Sequence, residues 1–139
     1  MNARFQKNSK QFVKFAIVGA TGTIVNLVVL KTTLLVWAQF AEQTPFSVEV
    51  LASGLAFCVA VVNNYLFNRR WTFRSTGRMG GEFAKFLTVS IAGLGLNELA
   101  FWLFRGELGV DVMLSQLFAI GCVLPFNFVV NKLWSFRGA

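Results

Sequence analysis

Residues 64–74 read Asn-Tyr-Leu-Phe-Asn-Arg-Arg-Trp-Thr-Phe-Arg, and residues 127–137 read Asn-Phe-Val-Val-Asn-Lys-Leu-Trp-Ser-Phe-Arg. The two stretches agree at seven of eleven positions when Arg/Lys and Thr/Ser exchanges count as matches, and share the pattern N-x-x-x-N-[RK]-x-W-[TS]-F-R. A second alignment lies upstream of each. A shift of 71 residues places Phe12-Val13-Lys14-Phe15 on Phe83-Ala84-Lys85-Phe86, Val18 on Val89, Gly22 on Gly93 and Asn26 on Asn97. The alignment of 64–74 with 127–137 needs a shift of 63, and the difference falls in connecting segments, where length costs little. The expectation is a duplicated helical hairpin in one membrane domain over 1–139, with repeat one at about 11–74 and repeat two at about 82–137.

Working outward, each hairpin supplies two apolar runs. They cover about Val13–Trp37, interrupted by Lys31, and Val50–Asn68, which is uncharged. Phe86–Phe104 follows, interrupted by Glu98, and then Val112–Asn131, again uncharged. A spanning helix needs about 20 mostly apolar residues. With 55% hydrophobic and only 14% charged residues in 139, too little polar surface remains for a soluble fold. The fold class expected is all-α and integral to a membrane: four transmembrane helices as two tandem, parallel-repeat hairpins. An even number of spans per unit gives repeats related by an axis along the membrane normal. The basic start could imitate a signal peptide, but its apolar stretch is too long for one and the pattern recurs later.

The net charge of +7 is polarised. Arg4, Lys7, Lys10 and Lys14 precede the first span, Arg69, Arg70, Arg74, Arg78 and Lys85 lie between the second and third, and Lys132 and Arg137 follow the fourth. Eleven of the 13 basic residues therefore share one side. Lys/Arg bias sets orientation, so both termini are expected in the cytoplasm. Lys31 is expected to snorkel to the opposite side, which also holds Glu42, Glu49, Arg105, Glu107 and Asp111. Cations carried by a membrane chain do not suggest a nucleic-acid partner. The chain has no His, which excludes His-based triads and His-ligated metal sites. No paired carboxylates, phosphate loop or acidic metal cluster is visible, so neither an enzyme nor a metal or other cofactor is expected. Cys58 and Cys122 read as buried small hydrophobes, Gly19, Gly22, Gly93 and Gly95 as helix-packing positions, and Pro125 as a kink in the fourth span.

The chain resembles the GtrA-like membrane proteins from Phe12 to Phe136. The likeness rests on Phe15-x-x-x-Gly19 with Asn26, and on Asn64-x-x-x-Asn68-Arg69-x-Trp71-Thr72-Phe73 with its second copy. Ser90 stands where Gly19 stands in the first copy, so the repeats are not equivalent. The resemblance implies movement of a polyprenyl-phosphate-linked sugar from the cytoplasmic to the outer leaflet of a bacterial-type inner membrane. That sugar would serve O-antigen, teichoic-acid or related surface polysaccharides. The partners implied are the sugar lipid, membrane lipids and a membrane-associated glycosyltransferase. A bundle this small suggests a homo-oligomer.

The residues themselves support two readings. Asn64 with Asn68, and Asn127 with Asn131, are i, i+4 neighbours in the last turns of their spans. They can bond helix to helix while Arg69, Arg70 and Lys132 provide positive-inside anchoring and complement the helix dipoles. Alternatively, Arg69, Arg70 and Lys132, with Lys14 and Lys85 at the equivalent span entries, bind a lipid phosphate, for which the guanidinium fork is well shaped. Trp71, Phe73, Trp134 and Phe136 read as interface aromatics or as a platform for a prenyl chain or sugar. Asn26 lies about 20 Å into its span by helical rise. With Asn97 and Glu98 it forms the candidate polar path, since an intramembrane ionisable group is a functional hypothesis by default. Competing classes are a non-transporting anchor for a glycosyltransferase and a small cation exporter. The exporter would want a carboxylate in the first span, whereas Glu98 lies in the third.

Overall fold

The computed structural model describes residues 3–138, with side chains from residue 5 onward, so the Arg4 side chain lies outside the described set. Helix α1 runs Ala3–Trp37, α2 Phe46–Phe67, α3 Met79–Trp102 and α4 Val112–Val130. Three of them end in a single π-helical turn: Asn68–Thr72 after α2, Leu103–Glu107 after α3 and Asn131–Ser135 after α4. All four are long and apolar enough to cross a membrane. The helices outrun the expected spans at most ends. The first starts ten residues early, because Arg, Gln and Lys are good helix formers and carry the helix into the interface.

The ends have local causes. Pro45, with φ −61° and ψ 148°, precedes α2, and Glu49 in the first turn complements the helix dipole. Gly109, at φ +64°, turns the chain before α4. Asp111 then caps α4 by accepting from the Met113 and Leu114 amides at 2.9 and 3.3 Å. Pro125 lies inside α4, which continues through it to Val130.

The chain packs as two units. Val13–Thr72 joins α1 to α2; the other unit contains the chain from Phe73 onward, together with the start of α1 through Phe12. In the first, Phe15 and Val18 of α1 and Ala52, Ala56 and Ala60 of α2 are buried. In the second, Phe86 and Val89 of α3 and Ser115, Ala119 and Val123 of α4 are buried. These are matched positions under the shifts of 71 and 63 residues. The stripes on α2 and α4 repeat every four residues and are made mainly of Ala and Ser, which let helix backbones approach closely. Gly22 and Gly93 are the tightest points. A Cβ there would collide with the Asn64 and Asn127 side chains, respectively.

Only 17–22% of the residues in the most apolar stretch of each helix are buried within the chain. Exposed Ile24, Leu51, Leu55, Leu99, Leu117 and Phe118 belong to a surface solvated by lipid, not water. The protein is a multi-pass integral membrane protein. Two expectations need correction. Cys58 and Cys122 are exposed on this apolar surface, because the inward stripe is already filled by Ala56, Ala60, Ala119 and Val123. Gly19 and Gly95 have no neighbour within 4 Å of a built Cβ, so only Gly22 and Gly93 serve close packing.

Candidate functional site

The basic end of the first unit is organised around the π turn at Asn68–Thr72. Lys14 reaches across from α1, with Nζ 3.5 Å from the Trp71 carbonyl oxygen and 5.1 Å from the Trp71 ring centroid. A helix C-terminus leaves carbonyls without intrahelical donors and carries partial negative charge, so an ammonium suits it. Arg70 is exposed on the same turn, whereas Arg69 is half-buried. Beside Arg70 lies an open cavity of about 600 Å³. Ile17 and Val18 of α1 and Phe67 and Trp71 of α2 and its π turn form its apolar wall. Thr21, Asn63 and Arg70 add the polar groups.

Several buried polar atoms in this unit have no hydrogen-bond partner: Asn63 Nδ2, Asn64 Oδ1, Asn68 Oδ1 and Thr72 Oγ1. Unpaired buried polar atoms are costly and uncommon. Of these residues Asn63 lines the Arg70 cavity, while Asn64 packs on Gly22 of α1.

The matched end of the second unit shares the framework and more of its polar groups are hydrogen-bonded. Lys85 Nζ lies 3.5 Å from the Trp134 carbonyl oxygen and 5.9 Å from its ring centroid, reproducing the Lys14–Trp71 contact. The Asn131 amide donates to the Asn127 carbonyl at 2.9 Å, and Ser135 Oγ donates to Asn131 Oδ1 at 2.8 Å. The Phe136 amide closes the π turn on the Asn131 carbonyl at 2.8 Å. Asn127 Oδ1, packed on Gly93, has no partner. Lys132 donates to Asn8 Oδ1 at 2.6 Å and Gln11 Oε1 at 2.5 Å and lies 5.5 Å from the Phe128 ring centroid. Its ammonium is therefore committed to holding the start of α1.

The four aromatics divide in two. Trp71 and Trp134 are exposed, as interface residues should be. Phe73 and Phe136, expected beside them at the interface, are instead buried at 3% and 1% exposure. Their rings stack at 4.7 Å, with Phe128 at 6.0 Å from Phe73 and Phe86 at 5.9 Å from Phe136. Two apolar rings gain more from this stack than from a wet interface.

The intramembrane polar residues differ in their surroundings within each unit. Asn26 is half-buried on α1. Asn97 accepts from Gln116 Nε2 at 3.4 Å, linking α3 to α4, while adjacent Glu98 is exposed on α3. Sequence reasoning missed Asn63, Gln116, Asn8 and Gln11. A second amide beside Asn64 in an apolar run was the available signal for Asn63. Gln11 is matched to Glu82 by the 71-residue shift, and both are buried. Glu82 accepts a hydrogen bond from Ser75 and ties down the link before α3. Among the described residues no cluster of His, Cys, Asp or Glu can hold a metal ion.

The family described as GtrA/DPMS, transmembrane domain, matches residues 14–136. The chain belongs to that family. It is 31% identical over 106 residues to the uncharacterized membrane protein YngA of Bacillus subtilis, covering 75% of this chain and 71% of that one. It is also 30% identical over 127 residues to a dolichol-phosphate mannosyltransferase of Pyrococcus furiosus. That match covers 88% of this chain but spans only 32% of the mannosyltransferase. In this GtrA-family chain the family match begins at Lys14 and ends at Phe136, and so takes in both Lys–Trp contacts.

Proposed function

We propose that this GtrA-family protein carries a polyprenyl-phosphate-linked monosaccharide from the cytoplasmic to the outer leaflet of a bacterial-type inner membrane. The sugar then serves surface polysaccharide synthesis of the O-antigen or teichoic-acid type, and both chain termini are cytoplasmic. The observation that carries this reading is the cavity beside Arg70, which combines an apolar wall with an exposed guanidinium at the end of a span. Arg70 pairs with the phosphate oxygens, Ile17, Val18 and Phe67 take the first isoprene units, and Trp71 packs on the prenyl chain or sugar. Asn63 offers an unsatisfied amide donor at the same wall. The family and the mannosyltransferase similarity support a polyprenyl-phosphate cargo. The role is translocation without chemistry.

The test is leaflet exchange of a fluorescent polyprenyl-phosphate sugar in proteoliposomes. Arg70→Gln should slow exchange about tenfold or more, since a charge-assisted hydrogen bond contributes about 1.5–3 kcal/mol. Lys132→Gln should leave exchange within about twofold, because that ammonium is held by Asn8 and Gln11. A second reading is favoured by the similarity to a much longer mannosyltransferase: a membrane anchor that recruits a polyprenyl-phosphate glycosyltransferase through the basic link at residues 69–85. No exchange until such a transferase is added would select the anchor over the carrier.

A further inference from the structure

Two charged side chains lie within the spans and have no partner among the described residues. Lys31 on α1 and Glu98 on α3 are both exposed, and neither makes a hydrogen bond or ion pair with a described residue. Counted from the Lys–Trp contacts, Lys31 is about 26 Å and Glu98 about 20 Å along its helix, at 1.5 Å per residue. A carboxylate at that depth in lipid is strongly disfavoured. Glutamate is too short to reach either interface, unlike lysine, which can bend toward one.

The surroundings of the two charges match. On α1, Ile24, Val28, Lys31 and Leu35 form an exposed stripe with steps of four, three and four residues. On α3, Ile91, Gly95, Glu98 and Trp102 form another with the same steps. The charge occupies the third place in each. Gly95 faces open space, which leaves room for a neighbouring helix, and Lys31 lies in a shallow groove with Leu27, Leu30, Leu34 and Leu35. This 3.5-residue spacing is the seam of a left-handed helix pair. As first and third spans, α1 and α3 cross the bilayer in the same sense. Side chains of both helices lean toward their N-termini, and the longer stem of Lys31 reaches further that way than the carboxylate of Glu98 does, which brings the two charges toward one depth.

We infer that α1 of one copy packs against α3 of a second copy, with Lys31 of each chain paired to the carboxylate of Glu98 in the other. The occupant of both stripes is a second copy of this chain. A two-fold dimer forms the pair twice and leaves neither charge facing lipid. This assembly does not depend on which cargo the protein carries.

The test uses two differently tagged full-length chains in a Cys58→Ala, Cys122→Ala background, co-expressed in membranes. One carries Lys31→Cys and the other Glu98→Cys. In the two-fold dimer the remaining Lys31 and Glu98 still pair, so assembly survives. A short bis-maleimide cross-linker should then yield a covalent pair carrying both tags, absent when Lys31→Cys is combined with Val129→Cys. In the otherwise native chain, Glu98→Gln should reduce the dimer fraction in bicelles several-fold, and Glu98→Lys should reduce it further. Lys31→Glu combined with Glu98→Lys should restore it. The inference is overturned if a cross-link forms only when both cysteines share one chain, or if no mixed-tag pair forms. A dimer fraction unmoved by Glu98→Gln overturns it equally.

Discussion

Thr72 and Ser135 occupy the same place in the two hairpins, one turn past Asn68 and Asn131, and both are buried. Their hydroxyls behave differently. Ser135 donates to Asn131 Oδ1, while Thr72 Oγ1 and Asn68 Oδ1 have no partner. Removing a hydroxyl that makes a bond costs about 1 kcal/mol, whereas removing an unpaired buried one is neutral or favourable. Ser135→Ala should therefore lower stability by about that amount, and Thr72→Val, which keeps the shape, should not. Thermal unfolding in one detergent, read by tryptophan fluorescence, compares the two. Equal losses would show that the two ends are bonded alike. Asn63 Nδ2, unsatisfied at the wall of the Arg70 cavity, is a cost that ligand binding can remove.

At the scale of the element, each helix pair is held by a seam of small side chains. Ala56 and Ala119 are fully buried, with 0% exposure, at its centre. Enlarging either to Leu should push the helices apart and cost about 1–3 kcal/mol, measurable as a lower melting temperature in detergent. Gly19→Ala, where the space is open, should be silent in the same assay, while Gly22→Ala should resemble Ala56→Leu. Much of this level was legible in the sequence. Apolar runs of spanning length located four helices, and the paired Asn-x-x-x-Asn endings marked where α2 and α4 stop. Ala52, Ala56 and Ala60, three small residues four apart, also advertised the seam, but an apolar run of nearly uniform hydrophobicity hides which face turns inward. Phe73 was illegible for a different reason. Its burial depends on Phe136, more than sixty residues away, and no local pattern distinguishes a stacked phenylalanine from one at an interface. The cavity beside Arg70 was half-readable: the cation was evident, but the wall comes from two helices.

For the whole molecule, the solvent decides which residues are outside. Cys58 and Cys122 are exposed yet surrounded by apolar side chains, so their neighbours in a cell are acyl chains. In intact membranes a lipid-soluble maleimide should label both, and a charged, impermeant maleimide should label neither. Rapid labelling by the charged reagent would mean that the surface around them is wet. The excess of Lys and Arg at the span ends was readable from the sequence alone because it depends on position along the chain. How the two charges inside the spans are neutralised was not, because neither Lys31 nor Glu98 has a partner among the described residues.

The alanine seam also bears on the order of assembly. Leucine and phenylalanine give up rotamer freedom when they pack; alanine has none to give up. Two helices already inserted in lipid can thus associate along Ala52, Ala56 and Ala60 with no side chains frozen on the α2 face, and only the link at residues 38–45 must be ordered to bring α2 beside α1. The first hairpin is able to close while the ribosome is still making α3.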